Sequence, residues 1–206
     1  GWNSDQRADA DVRAALGPLG IPVEDAAAAL TYLPLETLSP AAFRLLRLRE
    51  TLGLRSCVNT VLRMWNPSRA RAQVQGVFHP SYRGLQALAA ERLGQGDLTV
   101  IKGGGGEFER HPGKDIAVYG LRAGAHIQQT APAMPYAARR LHDASETIDV
   151  SALWAGTQND AFAIDTVTGT AALALWTLGA AATIQDSEVM ARALWADRLT
   201  RQEKCA

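Results

Sequence analysis

The chain has 206 residues, of which 47% are hydrophobic and 20% charged, and its 21 Lys and Arg balance 21 Asp and Glu. That composition excludes a disordered or collagen-like chain, and the length suffices for one domain with a real core. No uninterrupted apolar stretch reaches bilayer length and the start, GWNSDQRADAD, carries no leader pattern, so the expected location is cytoplasmic with no membrane contact.

Asp9 and Asp11 can cap a short helix over Val12 to Leu16, ended by Gly17 and Pro18. A second short helix is expected from Val23 to Leu30. The segment Thr31 to Leu38 is broken by Pro34 and reads as a connection over the core. Ser39-Pro40 is a strong helix start and Gly53 the matching stop. Another helical segment runs from Cys57 to Trp65, closed by Asn66-Pro67.

The pattern then changes. Gln73 to Phe78 reads as a strand, Pro80 to Leu93 as a helix ended by Gly94, and Leu98 to Lys102 as a second strand, which together make a βαβ unit with parallel strands. Asp115 to Leu121 and Ala125 to Gln128 follow as strands, and Ser145 to Trp154 as a polar turn with a helical piece. A long helix from Asp160 to Gly179 carries many alanines and Gly169, which would admit a neighbouring helix closely. The last helix is expected from a cap at Asp186 through Leu199.

The four glycines Gly103 to Gly106 lie after the second strand of that unit, with Lys102 before them and Glu107 and Glu109 after. Ligands in open α/β sheets bind beyond the carboxyl ends of parallel strands, and a glycine run lets backbone come close to a ligand. A phosphate-cradling turn is one reading and a flexible hairpin the other, since GGGGEFERHPG matches neither GxGxxG nor GxxxxGK[ST]. Cys57 and Cys205 read as free thiols, and the four histidines show no metal-ligand spacing.

Between Ala41 and Arg83 stand eight arginines, Arg44, Arg47, Arg49, Arg55, Arg63, Arg69, Arg71 and Arg83, against Glu50 alone. The guanidinium fork suits phosphate or carboxylate, and Arg44, Arg47, Arg63, Arg69 and Arg71 are the candidate phosphate contacts. The alternative is a solvated helix face balanced by acids elsewhere. Trp65, Phe78 and Tyr82 could stack on bases, although aromatics in such positions are more often core.

Several stretches, in order, resemble the C-terminal portion of anthranilate phosphoribosyltransferase and its relatives: RETLGLRS at 49–56 followed by Asn59, the Asn66-Pro67 turn, QVQGVFHP at 73–80, and the terminal stretch Ala171 to Ala196. The resemblance implies an α/β fold with an open, mostly parallel sheet flanked by helices, corresponding to the large domain of such a transferase and missing its N-terminal helical domain. It implies transfer of a phosphoribosyl group from phosphoribosyl pyrophosphate, with magnesium, to an aromatic acceptor. The upstream diphosphate loop has no counterpart here, so an N-terminally truncated chain not competent for transfer is expected, from a parent expected to be a homodimer.

Position by position, the resemblance makes Arg55 the acceptor-carboxylate arginine with Asn59 beside it, Lys102, Gly103 and Gly106 the loop at the strand end, and Glu107 and Glu109 the magnesium acids. The family's adjacent acids fall on Phe108 and Glu109, so magnesium is expected to be weakened by Phe108. The loop is similar to a divergent branch with K-G-G-x-G-E-x-E. Some members of that branch bind nucleic acid, which makes sequence-independent binding of single-stranded nucleic acid the second expectation.

Overall fold

The computed structural model describes residues 12–28, 30–54, 56–134 and 148–200. In chain order the elements are α1 (Val12–Leu16), α2 (Leu35–Leu38), α3 (Pro40–Leu52), α4 (Val58–Arg63), β1 (Ala72–Val77), α5 (Tyr82–Arg92), β2 (Asp97–Lys102), a 3-10 turn (Gly104–Gly106), β3 (Ile116–Arg122), β4 (Ala125–Ala131), α6 (Val150–Ala155), α7 (Ala161–Leu178) and α8 (Ile184–Ala196). They gather into two compact units, one of residues up to 65 with 148–158, the other of 66–134 with 159–200.

The first unit is helical. Ser39 accepts a hydrogen bond from Ala42 N and Gly53 ends α3 in the left-handed region at φ 67°, as the local chemistry requires. Asp149 caps α6 in the same way, taking Ser151 N and Ala152 N. Residues Val23 to Leu30 do not form the expected helix. Asp25 turns its carboxylate onto Ala27 N, Thr31 accepts from Asp25 N, and Val23 bridges to Tyr32, so side-chain hydrogen bonds hold a turn where a helix ladder would run. Pro34 precedes α2 instead of breaking a connection, because its missing N–H costs nothing at a helix start. Arg13 holds Glu36 at 2.5 Å, and this hydrogen bond pulls the Glu36 carboxyl below its ordinary value.

The second unit is a four-stranded open sheet, ordered β1-β2-β3-β4, with helices on both faces. The α/β class with an open, helix-flanked sheet is the one expected. β1 and β2 pair parallel, from Ala72↔Asp97 to Val77↔Lys102, through the crossover helix α5. β2 with β3 and β3 with β4 pair antiparallel, so the sheet is mixed. The stretch 103–115 holds only the 3-10 turn, with no crossover helix to bring β3 back parallel. Ala123 and Gly124, at φ 50° and 79°, make the two-residue turn that folds β4 onto β3.

Alternation along β2 sorts the core. Leu98 and Val100 pack with Val77, Ala90 of α5 and Leu121, while Ile101 joins Val118, Ala131, Leu173, Trp176 and Ile184 on the α7–α8 side. Thr99 lies on that second side and shares a 2.6 Å hydrogen bond with Thr177. α7 is long and apolar enough by composition to span a bilayer, yet its inner side is the wall of this core, with Ala172 and Leu173 fully buried. Its caps are Asp160, which accepts from Ala163 N, and Gly179 at φ 76°. α8 is capped by Thr183, not Asp186: the Thr183 hydroxyl accepts from Asp186 N, and its own proton goes to the Asp186 carboxylate.

Candidate functional site

Both connections that leave the carboxyl ends of the parallel pair lie at one end of the sheet. Gly103 N donates to Val77 O across the ends of β1 and β2, and the glycine run then closes on itself through Gly106 N to Gly103 O and Glu107 N to Gly104 O. The loop folds back over β1 so closely that only glycine fits beneath it. A Cβ on Gly76 would stand 2.2 Å from the Glu107 carbonyl carbon, and one on Gly103 would stand 1.8 Å from Glu107 O. Gly105 and Gly106, at φ 63° and 86°, complete the turn.

Past the turn the chain alternates. Glu107 is exposed, Phe108 packs against the Ile101–Leu173–Trp176 core, Glu109 is half-buried, and Arg110 is wholly buried. Phe108 is half-buried, with its ring against the edge of that core, which suits an apolar residue at this position. Lys102, at the last position of β2, is exposed. On the neighbouring connection, His79 meets the Phe78 and Tyr82 rings edge-on, at 4.9 and 5.6 Å, and Phe78 is 55% exposed. These aromatics are therefore surface, not core.

Lys102, Gly103, Gly106, Glu107 and Glu109 thus fall in one loop at the strand ends. Among the described residues no three acids, histidines or cysteines converge on a cation position.

The arginines are divided between the two units. Arg71 gives Nε to Asp97 at 3.1 Å and Nη2 to Leu178 O, just before β1 begins, so the six-residue strand puts it about 20 Å from the loop. Arg69 lies at that same end, exposed, with φ 49°. Arg83 donates to Pro80 O and Ala117 O and covers the Tyr119 ring. In the helical unit, Arg47 forks onto Glu50 at 2.8–3.1 Å, which raises its own affinity for the proton and lowers that of Glu50. Arg63 and Arg49 also have partners, whereas Arg44 is exposed on α3. Asn59 lies on α4, half-buried, its Oδ1 unpartnered. Arg55 lies outside the described residues.

Gly76 and Arg110 were not singled out from sequence. An isolated glycine in a strand is a recognised sign of close backbone approach and could have marked Gly76. Nothing in GEFERHP distinguishes Arg110 from a surface arginine.

No family model matches the chain. It is similar to the anthranilate phosphoribosyltransferase of Paraburkholderia phymatum, 33% identical over 127 residues, which cover 59% of this chain and 37% of that protein. It is also similar to the anthranilate phosphoribosyltransferase of Bordetella avium, 37% identical over 76 residues, covering 37% of this chain and 22% of that one. An uncharacterized protein of Aquifex aeolicus is 32% identical over 103 residues, half of this chain and 33% of its own length. The alignments span about a third or less of the relatives' lengths, and they relate the chain to the anthranilate phosphoribosyltransferases over that part.

Proposed function

We propose that this chain is a divergent phosphoribosyltransferase-type module, not competent for transfer by itself, whose loop at 102–109 faces the magnesium that accompanies the diphosphate of phosphoribosyl pyrophosphate, with an aromatic acceptor class. The observation that carries the reading is the glycine loop itself. It stands beyond the carboxyl ends of the parallel pair, held there by its close packing on Gly76 of β1, in a chain related to transferases of this type.

Lys102 supplies a positive charge beside the loop, and the N–H groups of Gly104 and Gly105, which the Gly103–Val77 and Gly106–Gly103 bonds do not use, supply donors that carry no side-chain bulk. Catalysis of this class asks little covalent chemistry of the protein and much positioning of a charged leaving group. Arg55 and Asn59 are proposed for the acceptor, the arginine for its carboxylate fork. Magnesium would enter with the diphosphate, with Glu107 as the exposed carboxylate toward it. Its hold would be weak, because Phe108 offers no oxygen to a hard cation and packs against the core instead. We place the loop with the K-G-G-x-G-E branch, whose members need not be competent transferases.

Titration calorimetry with phosphoribosyl pyrophosphate and magnesium tests this directly. Saturable heat that Lys102→Ala weakens by about tenfold is expected, the loss of one charge-assisted contact. Absence of heat at millimolar ligand would remove the reading.

Exposed Phe78 and Tyr82, on the connection that leaves β1 opposite Lys102, favour a second reading, stacking of single-stranded nucleic acid on the same end of the sheet. Because Arg47, Arg71 and Arg83 are occupied within the protein, the salt dependence of such binding would be shallow, on the order of two released counterions. Fluorescence anisotropy of a labelled oligonucleotide across a salt series measures it, and no binding at low salt sinks it.

A further inference from the structure

We infer that Arg110 is a positioning residue: an internal strut that fixes the strand-end loop by tying it to α8 and to the end of β4. The loop is pinned at both ends. At its start Gly103 N holds Val77 O, and at its finish Arg110 N donates to Thr170 Oγ1 on α7 at 2.9 Å. From there the Arg110 side chain runs inward, wholly buried, and its Nη2 meets Glu188 Oε1 of α8 at 2.7 Å and Pro132 O, just past β4, at 2.9 Å. One guanidinium nitrogen therefore joins the loop to two other parts of the unit.

Two features indicate that stability is not what this arrangement serves. Nε and Nη1 of Arg110 have no hydrogen-bond partner although they are buried, which is costly for a cation. α7 also gives up a side chain at Gly169 to make room: a Cβ there would lie 3.3 Å from Arg110 Cδ and 3.1 Å from Met134 Cε. A glycine inside a helix is itself destabilising. An apolar residue at position 110 would avoid the first penalty, but it could not tie the loop to Glu188. Both penalties fall where they fix the position of Glu107 and Glu109, three and one residues upstream.

The test is backbone amide exchange of the full chain, comparing wild type with Glu188→Ala and with the neutral double variant Arg110→Met/Glu188→Gln. Replacing both members of a buried ion pair usually leaves global stability nearly unchanged, so the double variant separates position from stability. The expected result is about tenfold faster exchange at Gly103, Gly106, Glu107 and Arg110, with the amides of β2 and β3 as protected as in wild type. Unchanged loop exchange in either folded variant overturns the inference, as does a uniform loss of protection through the sheet in both.

A second arm, which rests on the function proposed above, measures magnesium pyrophosphate affinity by calorimetry. Affinity should fall by about tenfold in the double variant while its melting temperature stays near that of wild type. If wild type takes up no pyrophosphate, the functional reading fails, and the exchange data still decide the role of Arg110.

Discussion

Replacing Gly103 by alanine asks the largest question of the loop for the smallest change in chemistry. Its backbone, at φ −111° and ψ 169°, is one that alanine adopts freely, so no dihedral strain enters. The effect is steric. The new Cβ would lie 1.8 Å from Glu107 O and 2.9 Å from Glu107 C, and both are backbone atoms that no rotamer change can move aside. Ordinary contact begins near 3.4 Å, so the Glu107 peptide must retreat by about 1.5 Å.

That retreat breaks the Gly106–Gly103 and Glu107–Gly104 hydrogen bonds, about 1 kcal/mol each, and draws Phe108 from its packing against the core. A loss of about 2–4 kcal/mol is expected, with the docking energy of the loop as its ceiling. Urea unfolding of the variant beside Gly84→Ala provides the measurement. Gly84 lies within α5 with open space around it, so its alanine should stabilise by about 0.5–1 kcal/mol. If Gly103→Ala costs less than about 0.5 kcal/mol and its loop amides stay protected, Glu107 does not approach Gly103 this closely.

Phe108→Asp, which places an acid where the resembling family has one, should cost about 1–3 kcal/mol because it puts a carboxylate against the edge of the α7–α8 core. It should also produce no magnesium-dependent rise in melting temperature; a stable variant that gains one at millimolar magnesium contradicts the core assignment. Thr177→Val should cost about 1–2 kcal/mol by leaving the Thr99 hydroxyl unpaired in the sheet face, and adding Thr99→Val should return part of that loss. A double-mutant cycle by denaturation gives the coupling, and strict additivity of the two losses speaks against the pair.

The elements legible from sequence are those set by local chemistry. Ser39 and Gly53 bound α3, and Asp160 and Gly179 bound α7, because a capping oxygen and a left-handed glycine act on neighbours three or four residues away. The βαβ unit was equally legible, and with it the place of the loop beyond the strand ends. Where the competition was local but close, expectation failed. Asp25 and Thr31 drew the 23–30 backbone into a turn, and Thr183 won the cap of α8 from Asp186 three residues on. The candidate site was half legible: Lys102, the glycines and Glu107 are neighbours in the chain, whereas their support comes from far away.

The sequence by itself determined that this chain would place a glycine turn with flanking charge at the end of a parallel strand, since periodicity, breakers and caps act over a few residues. Only the tertiary structure decided what surrounds that turn. Whether Phe108 faces solvent or core depends on α7, whether Arg71 is available to a ligand depends on Asp97 and Leu178, and whether Arg110 is a surface charge or a buried strut depends on Glu188, distant in sequence. Long-range packing assigns those fates, and residue type alone carries no record of which partner a side chain will meet.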